Sequence, residues 1–175
     1  MKTLHKLDYP SPIGVLEIIG TEEAIHSIMF AEREVPLPAE NKEEIPQVLW
    51  DCYRQLDEYF QGLRSEFSFP ISMAGTSFQK SVWNILETIP YGATTSYSAI
   101  AQTIGNEKAV RAVGNANGKN RLSIVIPCHR IVGANGSLTG YAGGLWRKEW
   151  LLQHEKTHAA PKNIESEQNK STGQG

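Results

Sequence analysis

Residues 91–120, "YGATTSYSAIAQTIGNEKAVRAVGNANGKN", decide how the C-terminal half folds. A turn at Tyr91 and Gly92 leads into a short helix from about Ser96 to Ile104, and Gly105 stops it. A second helix starts after Asn106 and runs into Gly114 and Gly118. Two short helices about a glycine turn have helix-turn-helix form. The second carries Ala109, Val110, Ala112 and Val113 around a single arginine, Arg111. Alanine and valine on a helix usually mean core, but small residues also let a backbone come close to a partner surface.

On the upstream side, "TSFQKSVWNILETIP" reads as a helix capped by Thr76 or Ser77 and closed before Pro90. Downstream, "LSIVIP" (122–127) reads as buried and extended, because Ile126 precedes proline. Gly133, Gly136, Gly140, Gly143 and Gly144 make the next stretch a loop, and "LWRKEWLLQHEK" is an amphipathic last helix. Nearer the N-terminus, "GVLEIIG" and "AIHSIMF" are apolar, β-branched runs that read as an antiparallel strand pair. "QVLWDCYRQLDEYFQG" sets Val48, Leu49, Cys52, Leu56, Tyr59 and Phe60 on one helical face. "SEFSFPISMAGTS" reads as an edge strand passing into a linker. The expected organisation is an N-terminal α/β domain over 1–75, a C-terminal domain over 76–156, and a polar, disordered tail over 157–175.

The net charge of −2 conceals two halves of opposite sign. Residues 1–77 carry 6 Lys/Arg against 13 Asp/Glu, whereas residues 78–156 carry 9 against 4. From Lys108 to Lys148 there are seven basic residues and no acidic one. Such a run is most often a solvated face, yet it also suits a polyanion. No segment is long and apolar enough to cross a membrane, and the N-terminus lacks a signal-peptide core, so a cytoplasmic, reduced protein with no membrane partner is expected. Two cysteines exclude a disulfide framework and a multi-cysteine zinc module, and nothing has finger spacing. His5, His26, His154 and His158 read as surface residues.

The chemistry concentrates at "VIPCHRIVG" (125–133). A cysteine that only fills core needs no histidine or arginine beside it, and Cys52, in an apolar stripe, reads as that kind. Cys128 is followed by His129 and Arg130, with Glu155 further on the last helix. Nucleophile, base and an acid to orient the base form the general triad arrangement, and basic neighbours such as Arg130 favour a thiolate. Adjacent residues on an extended chain point apart, so contact between Cys128 and His129 needs a turn or a water. On local residues alone, a reactive and a structural Cys128 both remain open.

The longer string "SIVIPCHRIVGANGSLTGYAGGLWRKEWLLQHE" resembles the active-site region of the O6-alkylguanine-DNA alkyltransferases, the methylated-DNA–protein-cysteine methyltransferase family. The likeness continues through "SFQKSVWNILETIPYGATTSYSAIAQTIG" and "KAVRAVGNANGKN", with a looser echo at "SPIGVLEI". It implies an α/β (α+β) fold: a small ribonuclease-H-like antiparallel sheet with a helix, then a mostly helical winged-helix or helix-turn-helix domain. It implies DNA repair without a cofactor or metal, in which Cys128 takes the alkyl group from O6-alkylguanine, and from O4-methylthymine, in duplex DNA and is spent. By the same resemblance His129 is the base, acting through a water, and Glu155 orients it. Tyr97 lines the guanine pocket and gives a proton to the departing base, and Asn120 braces the active-site turn. Arg111 enters the base stack where the lesion flips out, and Ala109, Ala112 and Gly114 bring their helix close to the minor groove. Tyr141, Ala142 and Gly143 close the pocket. A monomer is expected, with cooperative binding along DNA left open.

One departure is Ala142, where some relatives carry a serine whose hydroxyl could bond the guanine oxygen. Three rivals remain: a module that binds alkylated DNA without repairing it, a plain helix-turn-helix regulator, and a cysteine hydrolase. Cys128 argues against the first, and the small residues of the second helix against the next. The hydrolase lacks any marked peptide cleft or oxyanion hole.

Overall fold

The first sheet is antiparallel and has three strands, β1 (His5–Ser11), β2 (Gly14–Gly20) and β3 (Ile25–Phe30), in the order β1-β2-β3. The computed structural model describes residues 2–39 and 41–172, with side chains described as far as residue 159. The pairing of β2 with β3 follows the expectation from their apolar runs, with Leu16 opposite Phe30 and Ile18 opposite Ile28. β1 is an addition. Its sequence, HKLDYPS, lacks a β-branched run, and Pro10 has no N–H to give a ladder, a defect tolerated at a sheet edge.

Helix α1 (Gln47–Phe60) covers this sheet. Leu49, Cys52, Leu56 and Tyr59 are fully buried, on the face that the helical spacing picks out. The stretch expected as an edge strand makes only one bridge. Ile71 pairs in parallel with Ile25, and the amide of Ile25 bonds Pro70 O at 2.9 Å while Ser72 N bonds Ile25 O at 2.8 Å. A second parallel bridge joins Ile28 to Leu122, through Ile28 N to Arg121 O at 2.8 Å and Ser123 N to Ile28 O at 3.0 Å. The outer edge of β3 is therefore the seam between the two halves of the chain.

The C-terminal half is mostly helical, as expected. α2 (Ser77–Glu87) begins with a reciprocal cap: Thr76 accepts from Gln79 N, and Gln79 accepts from Thr76 N. α3 (Tyr97–Ile104) is capped by Ser96 and ends at Gly105, whose φ of 93° is the left-handed conformation that glycine adopts without strain. A single 3-10 turn leads into α4 (Val110–Gly118). Trp83 Nε1 donates to Ala116 O at 2.9 Å, which fixes α4 on α2. Two short strands, β4 (Thr95–Ser96) and β5 (Ile131–Val132), pair in parallel and set the start of α3 beside the segment that follows Cys128.

The structure corrects the reading of "LSIVIP" as extended. Leu122 makes its bridge, but Ser123–Val125 form a turn in which Ile124 takes φ = 73°, and Cys128–Arg130 are a 3-10 turn. The cause is Asn120. Its Oδ1 accepts from Leu122 N at 2.9 Å and its Nδ2 donates to Ile126 O at 2.9 Å, while Ile126 N bonds Leu122 O at 2.9 Å. A side chain that grips both ends of the segment folds it back.

α5 (Leu145–Thr172) continues past residue 156 rather than stopping there. His158 belongs to it: Nδ1 lies 2.7 Å from His154 O. The expected tail otherwise falls mostly on 160–175, whose side chains lie outside the described residues. Among the described residues no helix is long and apolar enough to cross a membrane.

Candidate active site

Cys128 stands at the first position of the 3-10 turn, and its carbonyl accepts from Asn117 Nδ2 at 3.3 Å. The residue is buried, 6% exposed, in the wall of a cavity of about 310 Å³. Tyr97 and Gly114 of the helix pair form another wall, Tyr141, Ala142 and Gly143 a third, and Phe30 of β3 reaches in from the first half of the chain. Gly143 is needed for space: a Cβ there would stand 2.9 Å from both the Phe30 and Tyr141 rings. The cavity thus brings Cys128 together with six residues that the sequence reading groups with it, Asn120 included.

Cys128, His129 and Arg130 form one 3-10 turn instead of an extended run. Three residues per turn spread successive side chains about 120° apart. His129 is fully buried, with Nε2 2.7 Å from Glu155 Oε2. A hydrogen on Nε2 satisfies the carboxylate and leaves the Nδ1 lone pair available. Nδ1 is buried without a hydrogen-bond partner among the described residues. His129 and Glu155, expected as base and orienting acid, are therefore in hydrogen-bond contact.

Arg130 does something other than support a thiolate. Its Nε and Nη2 donate to Glu155 Oε1 at 2.8 Å and Oε2 at 3.1 Å, and Nη1 donates to Ile89 O at 2.6 Å. Burial alone would push the Glu155 carboxyl up, but the charges and hydrogen bonds of His129 and Arg130 outweigh it and hold the group well below its ordinary value. Glu155 is thus a firmly ionised carboxylate in a fully buried place. The positive charge near the thiol comes from Lys148 on α5, which linear adjacency did not reveal. Its side chain is fully buried and Nζ donates to Thr139 O at 3.0 Å. Burial pushes the Cys128 thiol up from its ordinary value, while the Asn120 amide and the Lys148 charge pull it the other way. Burial in turn lowers Lys148, and a Cys128 thiolate raises it. Each charge favours the other.

Tyr97 reaches the cavity from the first turn of α3, and its hydroxyl pairs with Thr139 Oγ1 at 2.6 Å. Gly114 on α4 lies against the Tyr97 ring, where a Cβ would come to 3.6 Å. Arg111 and Ala112 are exposed on α4. Ala109 differs from its expected place on a DNA-facing surface: it is buried, in the 3-10 turn before α4, and packs in the core. His154 also departs from the surface reading. It is buried, stacked on Trp150 with ring centroids 4.8 Å apart, with Nε2 2.8 Å from Tyr59 O. Asn117, Lys148, Tyr59 and Phe30 are the site residues that sequence reasoning missed. Each arrives from a distant element, and none stands in a local pattern that marks it.

The family model for the 6-O-methylguanine DNA methyltransferase DNA-binding domain matches residues 77–157, and that for the ribonuclease-like domain of the same family matches residues 4–73. A methylated-DNA–protein-cysteine methyltransferase from Methanosarcina acetivorans is 46% identical over 149 residues, covering 84% of this chain and 95% of the relative. One from Haemophilus influenzae is 42% identical over 168 residues, covering 95% and 94%. The crystal structure of the Mycobacterium tuberculosis O6-methylguanine methyltransferase superposes with a TM-score of 0.78 at 40% identity, covering 89% of this chain and 94% of that one. A Mycobacterium tuberculosis structure in complex with DNA gives a TM-score of 0.78 at 41% identity, covering 88% and 94%. With both domain models matched over most of its length and relatives above 40% identity, the chain belongs to the O6-methylguanine-DNA methyltransferase family.

Proposed function

We propose that this protein repairs DNA directly, by moving the alkyl group of O6-alkylguanine in duplex DNA onto its own Cys128. O4-methylthymine would be a second substrate. The observation that carries the reading is the joint placement of Cys128 on the cavity wall and the buried His129–Glu155 pair behind it. Displacement at a saturated carbon calls for a soft thiolate in line with the leaving oxygen. The thiol proton would pass through a water to His129 Nδ1. Sγ would then bond the alkyl carbon as the carbon–O6 bond breaks, its electron pair staying on the guanine oxygen. Tyr97, in the cavity, would supply a proton to the departing base, releasing its pairing with Thr139. Releasing the alkyl group from the thioether would need another nucleophile to attack its carbon and a poor thiolate leaving group to depart, so each molecule acts once.

Exposed Arg111 on α4 suits insertion into the stack as the lesion turns out, a motion that costs a few kcal/mol and less for a weakened pair. Exposed Ala112 lets the α4 backbone approach the minor groove closely. Asn120 holds the turn that presents Cys128. Tyr141, Ala142 and Gly143 would flank the flipped base, with the backbone N–H of Ala142 as the donor available where a serine hydroxyl is absent. The acting unit is a monomer in the cytoplasm, with 1–75 as the supporting domain and 76–156 as the DNA-binding and reacting one.

The test is mass spectrometry after incubation with a duplex oligonucleotide holding one O6-methylguanine. The expected result is a gain of one methylene on the peptide containing Cys128, saturating at one per protein. Binding with no mass gain would replace this reading with a lesion-flagging module. Repeated turnover by unmodified protein would remove the self-alkylation mechanism.

A further inference from the structure

Glu155 is held by one residue from outside the C-terminal half. Tyr59, on α1, is fully buried, and its hydroxyl lies 2.6 Å from Glu155 Oε2. A carboxylate offers no proton, so the hydroxyl is the donor. The same oxygen accepts from His129 Nε2 at 2.7 Å and from Arg130 Nη2 at 3.1 Å, whereas Oε1 accepts from Arg130 Nε at 2.8 Å and Gly92 N at 3.4 Å. Three donors therefore share the one oxygen that orients the base.

The Tyr59 ring is fixed where it stands. Phe60, Phe67 and His154 surround it with centroids 5.2, 5.7 and 5.3 Å away. Its carbonyl is tied to His154 Nε2, one residue before Glu155. A buried tyrosine needs a partner for its hydroxyl, and a backbone carbonyl would serve. This one takes the atom on which the histidine depends. We propose that Tyr59 is a positioning residue for the transfer, its hydroxyl setting how strongly Glu155 holds the His129 ring and so how readily Nδ1 accepts the Cys128 proton. The proposal rests on the self-alkylation reading above.

Its consequence has a sign. A donor on Oε2 withdraws charge that would otherwise stabilise a protonated His129. Without it, the carboxylate favours the imidazolium, which cannot take the thiol proton. Other titratable groups that face the pair are Arg130, Tyr91, Tyr141 and His154, and a change at position 59 alone replaces none of them. Tyr59→Phe keeps the ring and removes the donor. Tyr59→3-fluorotyrosine keeps the hydroxyl and makes it a stronger donor.

Single-turnover methyl transfer from the same oligonucleotide is measured from about pH 5.5 to about pH 9, the range that spans histidine titration. For Tyr59→Phe we expect a loss of up to about threefold on the acidic side of neutral pH and a rise of roughly half a unit in the pH of half-maximal rate. Tyr59→3-fluorotyrosine should move that pH downward. Thermal melts run in parallel separate this from lost stability, because a purely structural tyrosine lowers the melting temperature and leaves the pH of half-maximal rate in place. That outcome, or shifts of the same sign in both variants, overturns the proposal. If Tyr59→Phe does not fold, the fluorinated variant decides alone. Failure of the unaltered protein to transfer methyl at any pH would instead remove the parent reading.

Discussion

The two cysteines are buried alike and surrounded differently. Cys52 sits on α1 against the sheet, fully buried, and burial is the one influence on its thiol, driving it far up from the ordinary value. Cys128 is 6% exposed, and burial raises it too, but Asn120 and Lys148 oppose that push and a cavity opens in front of it. Reactivity at a buried sulfur is thus decided by which charges and donors share its burial, and by whether a substrate has room to arrive. Exposure alone would not separate the two.

The sharpest break in this comparison comes from exchanging the sulfurs one at a time. Cys128→Ser should abolish methyl transfer while leaving DNA binding in a gel-shift assay. Full activity in that variant would mean the wrong sulfur has been chosen.

Glu155→Gln tests the charges behind Cys128. It leaves Arg130 buried without its counter-ion, so a stability loss of about 3–5 kcal/mol is expected by denaturant titration. The loss should depend on pH in one direction. The folded carboxyl is depressed, so its stabilising share is complete above the ordinary glutamate range, about 4.3, and drains away as pH falls from there toward the folded value. The gap between the two proteins should therefore narrow on acidification, and a gap of constant width would contradict the assignment.

Lys148→Met retains most of the buried stem and deletes the charge. Iodoacetamide labelling of Cys128, followed by peptide mapping at fixed pH, should slow by about tenfold, the equivalent of one unit in thiol acidity. An unchanged rate would transfer the credit to Asn120. The smallest effect belongs to Cys52→Ala. It should cost about 1–2 kcal/mol for the small void left, with transfer kinetics unaltered.

How far the sequence carries this structure depends on whether the decisive contacts are local. α2 and α3 are legible because their caps and stops lie in the chain itself, at Thr76, Ser96 and Gly105. The grouping of Cys128, His129 and Glu155 comes from family likeness, and in the structure His129 and Glu155 lie 2.7 Å apart at Nε2 and Oε2. The turn before Cys128 is not. An apolar run ending in proline looks extended, and only the two-ended grip of Asn120 on Leu122 and Ile126 bends it. Arg130 misleads for the same reason: the 3-10 turn delivers both His129 and Arg130 to Glu155, while Lys148 comes back to the sulfur from twenty residues away. Ala109 misleads in another way, since small size fits a core position as well as a DNA-facing one.

The bridges along β3 carry one more consequence. A strand at the edge of a sheet exposes unpaired N–H and C=O groups that invite another chain to add itself. On this edge the backbone groups of Ile25 are taken by Pro70 and Ser72, and those of Ile28 by Arg121 and Ser123. The segment that leads to the cysteine turn thus also works as a guard against self-association. A substitution that loosens it would free a sticky edge along with the sulfur, and aggregation would report the damage alongside any loss of repair.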